Sequence, residues 1–378
     1  MKKYRILLVV YYPIGGIRTF FRYVYRNFDP QKYSFTLVSP ELSETKLLLD
    51  DLSELDLTYL PADNNLSNKE FFILVTNIIR NDRFDLIHSH GFTSGISAIV
   101  GSLLRWTPHI LTCHDVFTEK QFIGVRGFIK KSFLGLMLLM IDSIHCVSYD
   151  ARNNLLEYLA MLRIFKKKLI VVPHGIETEL FLSAEKRDLR NELGLSKDSF
   201  LIGFLGRFMS QKGFKYLIDA LEKMNQIKGI PKQPVILCFS QEDGFIREEK
   251  ESIRKKGLSE SVLFLPFVAN VASTLKGLDV IAMPSLWEAC GLLAMEAMVA
   301  GVPLIGTDCI GLREVLKNTP ATVVPVRDSL ALSKVLLEEM KNPSTIKARE
   351  FAIKAAARFE VRGRAKDLEK LMLRYLKN

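Results

Sequence analysis

Residues 284–314 constrain this chain more than any other stretch. An apolar run over 279–283 reads as a buried strand, followed by a short loop carrying Glu288 and Gly291. The spacing then predicts a helix over 292–299, ended by Gly301, and a second strand opening at Pro303. Strand, loop, helix and strand in this order form a crossover unit of a parallel sheet. Ligands of such sheets sit at the carboxyl ends of the strands, against helix N-termini. The backbone N–H groups from Cys290 through Gly291 and Leu292 to Leu293 are therefore expected to be free to hold an anionic group. Glu288 stands just before them and Glu296 one turn inside the helix. Two carboxylates so placed would also complement the helix dipole with nothing bound, and both readings are open at this point.

A second punctuated loop precedes this unit. After an apolar run over 200–205 come Gly206-Arg207 and, five residues later, Lys212-Gly213. A planar guanidinium and a point-charge ammonium on a glycine loop can clamp a diphosphate. Further strands are expected over 5–12, 35–38, 57–59, 86–88, 108–112, 144–147, 169–172, 235–239 and 262–265, with helices between them, including one over 19–27. Gly15 and Gly16 follow the first strand. They allow close backbone approach, but the dinucleotide fingerprint G-x-G-x-x-G is absent and a tight turn is the plain alternative. His114 follows the strand over 108–112, where it can face a ligand and titrate near neutral pH. The six histidines show no grouping beyond His88 and His90, which lack a third ligand for a metal site. The polar stretch 183–199 reads as an interdomain linker with a helix over 185–192.

The pair Glu288 and Glu296, with Gly291 between and Gly301-Val-Pro303 behind, resembles the glutamate pair of the retaining nucleotide-sugar glycosyltransferases of family 4. Gly206-Arg207 and Lys212-Gly213 strengthen the likeness, which is strong over about 203–314 and weaker elsewhere. It implies an α/β chain of GT-B fold, two Rossmann-like domains facing across a cleft. Residues 1–182 would form the acceptor domain and 183–360 the nucleotide-sugar domain, with a final helix over 361–378 crossing back. It implies that Arg207 and Lys212 take the donor's diphosphate, Glu296 the ribose, and Glu288 with 290–293 the sugar and distal phosphate. Gly15, Gly16 and Gly206 would lie beside the donor, Phe267 and Val268 beside the base, and His114 near the 6-hydroxyl of the transferred sugar. Attack from the face the leaving group departs would retain configuration. The two glutamates are not read as a hydrolase acid–base pair, since both belong to one loop–helix unit. The sequence departs from the family over 240–244, where Ser-Gln-Glu-Asp-Gly stands in place of a glycine-rich turn.

At 378 residues the chain is long enough for two cores. Five scattered cysteines show no zinc spacing and no even disulfide set, which suits a reducing, cytoplasmic setting. The short apolar run near the N-terminus reads as a strand rather than a leader, and the longest apolar run, 133–141, is too short to span a bilayer. The formal charge of +10 points to an anionic partner, without any nucleic-acid-binding signature. The mixed basic and apolar segment 117–131, with Lys120, Arg126, Lys130 and Lys131, fits an anionic membrane surface on the inner face of the plasma membrane. An acceptor-side loop leading into a core helix fits it equally. The expected substrates are a nucleoside-diphosphate sugar, UDP before GDP, and a glycan, lipid-linked or small-molecule acceptor. No metal and no other cofactor is expected. A nucleotide-sugar epimerase or hydrolase, a non-catalytic nucleotide-binding protein and a nucleic-acid-binding protein are the rivals.

Overall fold

The computed structural model describes residues 3–240, 244–268 and 271–376. They divide into two compact units, Met1–Gly175 with Val361–Asn378, and Ile176–Glu360. In the first unit the strands are β1 (Tyr4–Val10), β2 (Tyr33–Pro40), β3 (Leu57–Ala62), β4 (Leu86–His90), β5 (His109–Cys113), β6 (Ser143–Cys146) and β7 (Leu169–Val171). They pair in the order β3-β2-β1-β4-β5-β6-β7, every pair parallel. The second unit holds β8 (Ser199–Leu205), β9 (Gln233–Phe239), β10 (Val262–Leu265), β11 (Val280–Met283), β12 (Leu304–Thr307) and β13 (Thr322–Val324). Their order is β10-β9-β8-β11-β12-β13, again all parallel.

The central strands are apolar along most of their length because helices cover both faces of a parallel sheet. Ile6 to Val10 are fully buried, as are Leu201 and Ile202. In each unit the winding starts in the middle of the sheet, runs to one edge and then resumes on the other side. The direction of winding therefore reverses between β1 and β4, and between β8 and β11. Such reversals open a crevice at the carboxyl ends of the two strands.

Local departures from expectation have physical causes. The helix expected over 19–27 is a short α-helix, Gly16–Phe20, continued by wider π-helical turns, Phe21–Tyr25. Those turns bury Phe21, Tyr23, Val24 and Tyr25 together, so no single apolar face is present to reveal the period. The stretch 183–199 packs onto the second unit. Leu189 is buried, and the Arg190 guanidinium reaches Asp279 and the Ser199 carbonyl. The C-terminal helix Val361–Leu376 belongs to the first unit, where Lys32 and Tyr33 donate to Glu369 at 2.5 and 2.7 Å.

Candidate active site

In the second unit, the loop after β8 carries Gly206, Arg207 and Lys212, and the loop after β11 carries Ser285 and Glu288. β8 and β11 are the neighbours between which winding reverses, so both loops open at one place. Several contacts lock them together. Leu286 N–H donates to the Gln211 carbonyl at 2.7 Å, and Gln211 Nε2 to the Trp287 carbonyl at 3.0 Å. Lys212 Nζ lies 2.7 Å from Glu288 Oε1, which also accepts from Ser285 Oγ at 2.8 Å. Gly213 has φ +65°, and a Cβ there would stand 2.0 Å from the Pro284 carbonyl oxygen. The loop after β12 completes the frame. Glu288 N–H donates to the Ile310 carbonyl, the Thr307 hydroxyl to the Ser285 carbonyl, and Gly311 packs directly on the backbone of Glu288.

The electrostatics follow from this frame. Glu288 is only 6% exposed, and a carboxylate so buried needs compensation. Lys212 and Ser285 supply it. Arg207, half-buried on the same loop as Lys212, makes no ion pair with any described residue. Lys212 is thus already paired and held in place, while Arg207 has no ion pair among the described residues. Glu296 is buried on the helix Leu292–Val299. The helix has the expected bounds, but Leu292 N–H donates to the Cys290 carbonyl at 2.9 Å. It is therefore not among the free donors expected over 290–293, because the tight turn at the helix start consumes it. Phe267 is half-exposed and Val268 partly buried just beyond β10. Residues 241–243, where the sequence departs from the family turn, lie outside the described residues.

In the first unit, Gly15 takes φ +57°, a conformation side chains resist, while a Cβ on Gly16 would meet nothing within 4 Å. The expectation that the histidines do not group is overturned. Parallel pairing sets His90 beside Thr112 and Thr112 beside His145, so residues far apart in sequence share one end of the sheet. Tyr25 Oη lies 2.8 Å from both His88 Nδ1 and His90 Nε2, and His90 Nδ1 lies 2.9 Å from His114 Nε2. Thr112 Oγ1 lies 2.7 Å from His88 Nε2 and 3.0 Å from His145 Nδ1. The Phe20 ring packs on His90, His114, His145 and His174. Burial holds His88, His90 and His114 well below the ordinary imidazole range, and neighbouring imidazoles add to it. Burial also lowers His145 and His174 to about 4 and His109 to about 3. His114 is the partly exposed member of the group. Among the described residues, no three His, Cys, Asp or Glu side chains are arranged to hold a metal ion.

Reading by motif missed Tyr25, Thr112, Gln211, Ser285, Thr307 and Gly311. The signal for Thr112 was a polar residue recurring near the carboxyl ends of successive strands, whereas Tyr25 lies on the π-helical turns and carried none. The others join separate loops through side-chain and backbone contacts, which no linear spacing displays.

Two parallel α/β units, each with a crevice-forming reversal and one with a framed Arg–Lys–Glu loop pair, define a GT-B protein. The solved structure of Anabaena Alr3699/HepE in complex with UDP and glucose superposes with a TM-score of 0.81, over 98% of this chain and 99% of that one, at 18% identity. The family model "Glycosyltransferase Family 4" matches residues 14–180, and "Glycosyl transferases group 1" matches 185–359. The chain belongs to the group 1, family 4-type glycosyltransferases. An uncharacterized glycosyltransferase of Methanocaldococcus jannaschii is 28% identical over 260 residues, 64% of this chain and 62% of that protein. The UDP-Gal:alpha-D-GlcNAc-diphosphoundecaprenol alpha-1,3-galactosyltransferase of Escherichia coli is 24% identical over 67% of this chain and 65% of its own length. The matches to these two relatives thus span somewhat under two thirds of their length.

Proposed function

We propose that the chain transfers a sugar from a UDP-sugar, with GDP-sugars as the second donor class, to a hydroxyl of a lipid-linked or glycan acceptor, with retention at the anomeric carbon. The observation that carries this reading is the three-loop frame at the reversal of the second sheet, which seats Lys212 against Glu288 and leaves Arg207 without an ion pair among the described residues. A cation held before the substrate arrives stabilises leaving-group charge without reorganisation. In the transfer step the bond from the anomeric carbon to the diphosphate oxygen breaks, and a bond from the acceptor oxygen forms on the same face. The acceptor proton passes to the departing phosphate oxygen. Arg207 and Lys212 take up the charge on the diphosphate. Glu288 keeps Lys212 in place and addresses the sugar, Glu296 accepts from the ribose, and Phe267 and Val268 border the base. Gly206 and the turn at Cys290, Gly291 and Leu293 approach the phosphates. The first unit supplies His114, as hydrogen-bond partner of a sugar hydroxyl, and Gly15 and Gly16. The Anabaena neighbour in complex with UDP and glucose and the E. coli relative named for UDP-Gal support a uridine donor.

The surface of the first unit favours a lipid-linked acceptor at the inner face of the plasma membrane. The helix Gly124–Leu139 buries Gly127, Leu134, Gly135 and Leu138, yet exposes Val125, Phe128, Ile129, Phe133 and Leu136. Arg126 and Lys130 are exposed beside this stripe. The segment 133–141, for which a core helix was one of two readings, is core on one face only. No helix among the described residues is long and apolar enough to cross a membrane. A basic-apolar stripe suits a protein that lies on an anionic bilayer.

The test is incubation of purified protein with UDP- and GDP-sugars, with and without a polyprenyl-diphosphate-linked glycan. Mass spectrometry would identify products and NMR the anomeric configuration. Acceptor-dependent glycoside with retained configuration is expected. A free sugar or an epimerised nucleotide sugar formed equally without acceptor would replace this reading by the hydrolase or epimerase one.

A further inference from the structure

The histidine group of the first unit has a direction. The carbonyl of Val172 stands 3.0 Å from His145 Nε2. A carbonyl only accepts, so Nε2 carries the proton. An imidazole this deeply buried is neutral, and its Nδ1 is then a bare lone pair. The Thr112 hydroxyl must donate to that lone pair. With its one proton so used, its oxygen accepts from His88 Nε2. His88 Nδ1 is bare in turn and takes the Tyr25 proton, and the Tyr25 oxygen accepts from His90 Nε2. His90 Nδ1 is left to accept from His114 Nε2. Reversing any link reverses the whole series and sets two lone pairs face to face at Val172. His114 Nδ1 has no partner among the described residues and is not one of the buried unpartnered atoms.

We infer that this relay, anchored on the Val172 carbonyl, fixes His114 as its Nε2–H tautomer and makes Nδ1 a hydrogen-bond acceptor for a ligand that donates a hydroxyl proton. The relay residues are positioning residues that act through His114. They select a hydroxyl over a carboxylate, phosphate or carbonyl oxygen, each of which would meet a lone pair there. Only the identity of that hydroxyl as part of a sugar rests on the proposed function. The tautomer does not.

Long-range nitrogen–proton correlation spectra of histidine-labelled protein read the tautomer without any substrate. At neutral pH, His114 should show a protonated Nε2 and an unprotonated Nδ1. Tyr25→Phe and Thr112→Val should each turn this into a tautomer mixture, and Thr112→Ser, which keeps the hydroxyl, should restore it. A proton on Nδ1 in the wild type, or an unchanged His114 spectrum in both cut variants, would overturn the inference. With an active donor, Tyr25→Phe should lower kcat/KM roughly 10-fold, as loss of one aligned hydrogen bond does. A donor with fluorine in place of the contacted hydroxyl accepts but cannot donate. It should lose a similar factor in the wild type and little more in Tyr25→Phe. Equal turnover of all singly fluorinated donors would refute the hydroxyl-donor assignment. Absence of transfer with every donor would instead sink the glycosyltransferase reading, with the spectra still deciding the tautomer.

Discussion

The two units share one winding plan and equip its reversal point in opposite ways. After β8 and β11 the loops bring Arg207, Lys212 and Glu288, charged groups framed by backbone contacts. After β1, β4 and β5 the corresponding end of the first sheet carries glycines, aromatic rings and imidazoles kept neutral by burial. A charged frame suits a diphosphate, whose recognition is mainly electrostatic. A neutral, directional network suits hydroxyls, where geometry and proton direction decide. The same topology thus supports two kinds of recognition, and the choice lies in a few residues at strand ends.

The largest expected break of this comparison is by acid. All six histidines lie in the first unit and none in the second. His145 and His174 are lowered to about 4 and His109 to about 3 by burial, against an ordinary value near 6.5. Between those limits the unfolded chain binds protons that the folded unit refuses, so stability falls as pH drops from about 6.5 toward about 4. Each such imidazole withdraws on the order of 3 kcal/mol over that window. Hydrogen exchange followed by mass spectrometry at pH about 7 and about 5 should show strands β4 to β6 losing protection while β8 to β12 keep theirs. Uniform behaviour of the two sheets would contradict the assignment of neutral buried histidines.

Next in size is the charged frame. Arg207→Ala and Lys212→Ala should each lower kcat by roughly 10²- to 10³-fold, as loss of a preorganised charge donor does. Thermal unfolding would check that the variants stay folded, and steady-state transfer would read the effect. Near wild-type kcat in both would remove the diphosphate assignment. Since Arg207 and Lys212 are both assigned to the leaving diphosphate, transfer should also survive EDTA. Loss restored by Mg²⁺ or Mn²⁺ would show that they do not suffice.

The legibility of these features differed for a physical reason. The strand–loop–helix–strand unit around Glu288 could be read because its parts are contiguous, and the helix Leu292–Val299 falls where Gly301, at φ +71°, ends it. Arg207 and Lys212 were legible because a glycine loop holds both. The histidine relay was not, because its members come from three strands and two connections, and only parallel pairing assembles them. Nor was the engagement of Leu292 N–H, which depends on how tightly the chain turns after Cys290.

A smaller effect separates glycines that the fold needs from one it does not. A Cβ on Gly311 would lie 2.0 Å from the Glu288 carbonyl oxygen, at φ +78°. Gly311→Ala should destabilise the second unit by about 1–3 kcal/mol, from overpacking and an unfavourable φ. It should also weaken transfer by shifting Glu288. Gly16→Ala meets open space and should leave the melting temperature unchanged. If it nevertheless raises the KM for donor or acceptor, the glycine serves a ligand. Unchanged kinetics would make Gly16 dispensable for both fold and site.

The weakest expected interaction belongs to the first unit's outer surface. Phe128 and Ile129 are 69% and 61% exposed within one apolar stripe, with Arg126 and Lys130 exposed beside them. Each cation near an anionic bilayer contributes about 1 kcal/mol, so a few of them with inserted apolar side chains give reversible binding. Wild-type protein should sediment with vesicles containing anionic phospholipid at low salt and less at high salt. Phe128→Ser with Ile129→Ser should reduce binding at both salt levels. Changing Lys120, Arg126, Lys130 and Lys131 to Ser should abolish the salt-dependent part. Both variants should turn over a water-soluble acceptor analogue as well as the wild type does, because the altered side chains lie outside the charged frame and the histidine relay. If wild-type protein ignores anionic vesicles at low salt, the stripe serves an acceptor or another protein instead, and the contrast between the units is confined to their sheet ends.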